Sequence, residues 1–239
     1  MTGAGISTDS GIPAFRGPDG LWTRDPAAER LSSYQTYVSD PAVRHRSWQA
    51  RLHHPAWSAE PNAAHLALAR LGHVLDTTVI TQNIDGLHQQ AGTPAARIIE
   101  LHGTLSGVVC TECGERTEMA TALDRVRAGE ADPPCQQCGG ILKSATVMFG
   151  QRLDPGVLTS AARAASGCDL MLAIGSTLTV EPAASLCRVA AEAGAALVIV
   201  NRDPTPYDEI ATAVIRDPIG QSVPRIASQL SHPTDEGEW

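Results

Sequence analysis

Aromatic residues are scarce. The 239 residues hold two Phe, three Tyr and four Trp, 4% in all. Both Phe, Phe15 and Phe149, sit in loop-like segments flanked by Gly. A core-building Phe sits in periodic apolar sequence instead, so these two are candidate site residues. Positive charge is also in deficit. The net charge of -8 argues against a nucleic-acid backbone as a partner. It leaves room for an anionic cofactor, because local backbone dipoles outweigh a global charge. No apolar run is long enough to span a bilayer. No leader precedes Gly3, so a reducing cytoplasm is the expected compartment. Six cysteines there point to metal or chemistry before disulfides. Charged residues make up only 18% and hydrophobic ones 43%, which suits a substantial core and argues against wholesale disorder. The length fits one large domain or two unequal ones.

A third glycine is missing as well. Gly3–Arg16 reads Gly-Ala-Gly-Ile-Ser-Thr-Asp-Ser-Gly-Ile-Pro-Ala-Phe-Arg. A GxGxxG fingerprint needs Gly at position 8, where Thr8 stands. Gly3 and Gly5 still permit a tight turn and the close approach of a bulky ligand. Ser7 and Thr8 are expected to cap a helix whose free N–H groups face a pyrophosphate. Gly11-Ile12-Pro13 ends that helix. On these residues alone, nucleotide binding and an ordinary Gly-rich turn stand level.

Further along, short apolar runs alternate with helical patterns. Residues 24–60 read as a small helical insertion, with a helix over Pro41–Leu52. Asn62–Leu71 is a capped amphipathic helix ended by Gly72. Thr77–Thr81 and Ile98–Leu101 read as strands. Gln82-Asn83-Ile84-Asp85-Gly86-Leu87-His88 follows the first, where ligands bind in an open parallel sheet. Turn chemistry before Gly86 is the other explanation of Asn83 and Asp85. His102-Gly103 closes the second strand, a better place for a functional His than most.

Cys110-x2-Cys113 and Cys135-x2-Cys138 form two knuckles, each setting two thiolates on one side of a turn. They predict a structural zinc site; a redox pair or four unrelated thiols are the alternatives. Cys168 and Cys187 lie in apolar segments as buried bystanders. Leu170–Ile174, Gly175-Ser176-Thr177, a helix over Pro182–Ala193 and Leu197–Val200 make a βαβ unit, preceded by a helix over Pro155–Ser166. Asn201 or Asp203, at its end, is placed to meet a ribose.

In that order, Gly3–Arg16, Thr81–His88, Glu100–Gly103 and the four cysteines resemble the motifs of the sirtuin family, the NAD-dependent protein deacylases. The resemblance runs from Gly3 to about Leu230. It implies an α/β fold: a Rossmann-like parallel-sheet domain with a smaller domain made of a helical insertion and a zinc module. The implied boundaries are 1–26, 61–103 and 147–230 for the NAD-binding domain and 27–60 and 104–146 for the small one, with 231–239 a disordered tail. By matching positions, Ala4, Gly5, Thr8, Phe15 and Arg16 belong to the cofactor loop, and Gln82 to the nicotinamide ribose. Asn83, Ile84 and Asp85 line the nicotinamide pocket, and Asn83 and Asp85 take part in catalysis with His102, the base. Gly175, Ser176, Thr177, Asn201, Arg202 and Ile219 meet the adenosine half. Val147 and Phe149 flank the acyl-lysine. The usual Phe-Gly-Glu reads Phe149-Gly150-Gln151, and the usual Pro-Asp reads Ser144-Ala145, so the cleft rim is expected to differ.

The implied reaction is lysine deacylation by a monomer acting on acyl-lysine proteins or peptides, releasing nicotinamide and O-acyl-ADP-ribose. NAD hydrolysis and protein ADP-ribosylation are the alternatives on this fold. Zn²⁺, from Cys110, Cys113, Cys135 and Cys138, is structural, because four thiolates leave no open position. Family members that prefer acidic acyl groups carry Tyr-x-x-Arg in the insertion. Here Trp48 and Arg51 match it, which implies that both are substrate-binding residues, and because Trp48 lacks the phenolic hydroxyl acetyl-lysine is expected to be favoured. Finally, Met1-Thr2 leads straight into Gly3. The expected first strand is missing, which predicts two unpaired strand edges and a longer natural protein with an apolar run upstream.

Overall fold

The computed structural model describes residues 1–16, 20–24 and 31–232. Most of the expected disordered tail, from residue 233 on, lies outside the described residues.

A parallel sheet is built from short apolar runs. β1 (Val79–Thr81) pairs with β2 (Ile98–Glu100). β6 (Leu170–Ile174), β7 (Ala196–Val200) and β8 (Ala213–Ile215) pair side by side in that order. Thr2 joins the two sets through parallel bridges to Thr81 and Ile174. The expected pair of unpaired edges is therefore not found. Thr2 N–H donates to Ile80 O, Gly3 N–H to Ile174 O and Gln82 N–H to Thr2 O. Met1 to Gly3 thereby bond to Ile80 and Gln82 on one side and to Leu172 and Ile174, the second half of β6, on the other.

Side chains along β6 and β7 alternate between two cores, as the period of a strand requires. Met171, Ala173, Leu197 and Ile199 face the helices Pro155–Ser166 and Ser185–Glu192. Leu172, Ile174, Val198 and Val200 face Ile6 and the helices Ala63–Leu71 and Ile219–Ser231. Leu197 and Ile199 are fully buried, each stabilising the fold by about 1.5–3 kcal/mol. Cys187 is buried and Cys168 half-buried in the first core. The helix expected over Pro182–Ala193 begins at Ser185, where the Glu181 carboxylate accepts from the Ser185 N–H.

The smaller layer is antiparallel, in the order β4-β3-β5: β3 (Gly103–Cys110), β4 (Arg116–Glu118) and β5 (Leu142–Thr146). The helices Met119–Arg127 and Pro41–Leu52 close over it. The second starts where predicted, with Asp40 accepting from Ala42 N–H and Pro41 in the first turn. Arg44 then pairs with Asp132 at 2.7 Å, tying this helix to the cysteine-bearing segment.

Candidate active site

Two small-residue loops meet beyond the carboxyl ends of the strands. The first is a 3-10 helix, Ala4–Ser10, which Gly3 caps through backbone alone. Ser7 and Thr8 therefore lie inside the helix instead of capping it, and Thr8 Oγ1 turns back to Gly5 O. Gly11 at φ +83° ends it, as expected. The glycines serve a contact that the sequence reading assigned to a ligand. A Cβ on Gly5 would lie 2.8 Å from Gly175 Cα, so the two loops interlock through backbone. Ala4 is half-buried beside this contact. Gln82 Nε2 donates to Ser176 Oγ at 2.9 Å, joining the end of β1 to the second loop. Thr177 pairs with Thr179, and Asn201 donates to Asp203 O beside exposed Arg202. Ile219 packs its side chain against the core around Ile6.

A buried polar cluster stands at the end of β1. The Asn83 amide donates to Gly3 O and to Ser7 Oγ, both at 3.1 Å. Ser7 Oγ in turn donates to Asp85 Oδ2 at 2.7 Å. Asp85 Oδ1 accepts from Leu87 N–H, so this carboxylate is fixed from two sides. Ser7, expected as a helix cap, is instead the side chain that bridges Asn83 and Asp85. Half-buried Ile84 is pinned through its carbonyl to Leu105 N–H.

His102 stands at the start of β3. Its Nδ1 lies 2.9 Å from Gln82 O, a carbonyl that only accepts, so Nδ1 carries the proton and Nε2 is bare. Burial lowers its pKa, and the bond to Gln82 opposes this. Gly103 holds φ +73°, and a Cβ there would collide with Ala145 O. Only glycine lets β3 and β5 close here.

Val147 N–H donates to His102 O at 2.8 Å, which sets the segment after β5 beside the histidine. Phe149 N–H donates to Ser32 O, and Phe149 O accepts from Tyr34 N–H. The Phe149 ring stays 44% exposed, with the Arg16 guanidinium 5.9 Å over it. Phe15, 41% exposed, belongs to the same loop. Gln151 Oε1 accepts from Met148 N–H and shapes the altered rim.

Trp48 corrects an expectation. It is 1% exposed and packs among Val108, Met119, Leu123 and Leu142 inside the small layer. Arg51 is held by Ser144 Oγ at 3.3 Å. His54 is half-buried just beyond the helix Pro41–Leu52, and its Nδ1 accepts from Ala56 N–H. Burial and Arg51 lower its pKa to about 4, while Asp85 opposes them.

The four cysteines converge as expected. All four sulfurs lie within 4.8 Å of one another, with Cys110–Cys138 at 3.5 Å and Cys113–Cys135 at 3.7 Å. A tetrahedral zinc with Zn–S of about 2.3 Å requires sulfurs about 3.8 Å apart, so the geometry fits. Glu112 and Gly140 N–H groups donate to Cys110 and Cys138 sulfurs, as thiolates require.

The Sir2 family model matches residues 3–182. The chain is 57% identical over 231 residues to "NAD-dependent protein deacetylase 2" of Streptomyces coelicolor, covering 96% of each. A mutant Sir2 homologue in complex with ADP ribose superposes with a TM-score of 0.86 at 36% identity, over 98% of this chain and 93% of that one. Sir2 bound to an acetylated peptide gives 0.82 at 32%, over 95% and 90%. With this architecture and these matches, the chain belongs to the Sir2 family.

Proposed function

We propose that this protein is an NAD-dependent protein-lysine deacetylase, which releases nicotinamide and O-acyl-ADP-ribose. The observation that carries the reading is His102: its proton is committed to the carbonyl of Gln82, the residue just before Asn83 of the Ser7–Asn83–Asp85 cluster, which leaves Nε2 bare. NAD supplies a pyridinium leaving group on a ribose carbon, which the acyl-lysine amide oxygen displaces. Asn83 and Asp85 hold the carboxamide of that leaving group, and Ser7 keeps them from rotating. His102 Nε2 accepts the ribose hydroxyl proton, and its lowered pKa keeps it neutral at physiological pH. Val147 and Phe149 flank the lysine stem. Ala4, Gly5, Thr8, Phe15, Arg16, Gln82 and Ile84 serve the nicotinamide and ribose side. Gly175, Ser176, Thr177, Asn201, Arg202 and Ile219 serve the adenosine side.

Cys110, Cys113, Cys135 and Cys138 would hold zinc, which would stabilise the small layer, four thiolates leaving it no open position for chemistry. The domain boundaries are those implied by the family motifs, supported by separate apolar cores in the parallel-sheet layer and in the small layer. No helix among the described residues is long and apolar enough to cross a membrane. The net charge of -8 supports the absence of a nucleic-acid partner, and the working form is a cytoplasmic monomer. The test is incubation with NAD and a panel of acylated peptides, read by mass. Loss of the acyl group with matching O-acyl-ADP-ribose is expected. ADP-ribose with unchanged peptide would indicate an NAD hydrolase, and an ADP-ribosylated peptide a transferase.

A further inference from the structure

Two buried histidines behind the pocket have no part in the reaction above. His65 lies in the first turn of the helix Ala63–Leu71, and His88 follows Asp85 by three residues. Both are fully buried, and their rings meet edge to face with centroids 4.9 Å apart. Their hydrogen bonds fix both tautomers. His65 Nδ1 accepts from the Asn62 N–H, so its proton is on Nε2. Thr2 Oγ1 donates to Thr81 Oγ1, so it accepts from His88, whose proton is also on Nε2. That leaves a donor, His65 Nε2–H, and an acceptor, His88 Nδ1, the two ring atoms with no other partner. They are complementary, and a small ring rotation or one bridging water would join them.

We propose that His65 and His88 form a neutral donor–acceptor relay that positions Asn83 and Asp85 in the nicotinamide pocket. Apart from the ring contact between His65 and His88, every link in it is a hydrogen bond. Asn62, which caps the helix, donates to Ile6 O and Ser10 Oγ on the back of the first loop. His65 and His88 carry the connection to Thr2 and Thr81. Thr81 Oγ1 then accepts from the Asn83 N–H at 3.0 Å. His88 also sits on the short helix whose first N–H is bonded to Asp85. From His88 the bonds run through Thr2 and Thr81 to Asn83 and, through its helix, to Asp85, and Thr2 is next to the Gly3 carbonyl that receives the Asn83 amide. The relay needs both rings neutral, because a second proton would set two N–H groups against each other. Burial lowers the pKa of each, and the charged groups acting on the pair are Asp85 and the Met1 amine.

The inference rests on the deacetylase reading, and its test separates the two. His88→Leu removes the donor to Thr2, whereas His88→Gln keeps an N–H near the place of Nε2. His88→Leu is expected to lose roughly tenfold or more in kcat/KM for NAD and to weaken nicotinamide inhibition by a similar factor. The acetylated-peptide Kd should stay within about twofold, and His88→Gln should recover most of the loss. In the spectrum of isotope-labelled histidine, both rings should be neutral Nε2–H tautomers. The relay is overturned if His88→Leu keeps wild-type kcat/KM for NAD. It is equally overturned if NAD and peptide parameters fall together with the folded fraction, or if either ring carries its proton on Nδ1. Wild-type protein that turns nothing over would sink the deacetylase reading instead, and the tautomers would still decide the relay.

Discussion

Gly103 is where one added methyl group should do most damage. Its φ of +73° lies in the left-handed region, where an alanine costs about 1–2 kcal/mol. A Cβ there would also strike Ala145 O and lie 3.1 Å from the Ala145 carbonyl carbon. Those are backbone atoms of β5, so no side chain can swing aside. Overpacking of this kind costs about 1–3 kcal/mol. Together the two effects come to roughly 2–5 kcal/mol, out of a net stability of about 5–15 kcal/mol. For a chain of this size each kcal/mol lowers Tm by about 2–4 °C, so Gly103→Ala should melt roughly 4–20 °C early. Turnover per folded molecule should fall too, because β5 runs on into Val147, whose N–H is bonded to His102 O. Gly129→Ala is the control. Its φ is +106°, but nothing lies within 4 Å of its Cβ, so only the backbone term applies. The assay is thermal unfolding of both variants, followed by deacetylation at a temperature where both are folded. Equal Tm shifts would refute the close approach of β3 and β5. Wild-type turnover by Gly103→Ala would refute the link from β5 to His102.

His102→Ala should abolish deacetylation while calorimetry still detects NAD binding; near-wild-type turnover would remove His102 from the reaction. Because burial lowers its pKa, the base stays neutral below pH 6.5, and an acid limb of kcat/KM at or above 6.5 would contradict its assignment. His88 and His54, with pKa values of about 3 and about 4, bind protons more weakly in the fold than in the unfolded chain. Stability should therefore be complete above pH 6.5 and fall as pH drops toward those values, His88 alone accounting for on the order of 4–5 kcal/mol. A urea midpoint that stays flat down to pH 4 would contradict this. The protein should carry one Zn²⁺, and Cys135→Ser should unfold the small layer and lower activity indirectly; a metal-free, folded and fully active preparation would rule that out. With Trp48 buried and Arg51 engaged by Ser144, kcat/KM should be higher for acetyl-lysine than for succinyl-lysine. The reverse order would place Arg51 on the acyl group.

What the sequence determined by itself was whatever a few contiguous residues encode. The helices Pro41–Leu52 and Pro155–Ser166 run over their predicted residues, because Asp40-Pro41 and Asp154-Pro155 carry both the cap and the fixed φ of a helix start. β6 was legible from its unbroken apolar run, and the cysteine cluster from two knuckle spacings. The tertiary structure alone decided which distant groups meet. Ser7 reaches Asp85 across 78 residues, and Gly5 packs on Gly175, because parallel strands bring their carboxyl ends to one edge of the sheet. Trp48 matched a site motif by spacing, but an indole gains more from a dry core than from a wet cleft. Thr2 filled a strand position that no periodicity in two residues could announce. Its place was set by Ile80 and Ile174, whose buried backbone groups each required a partner.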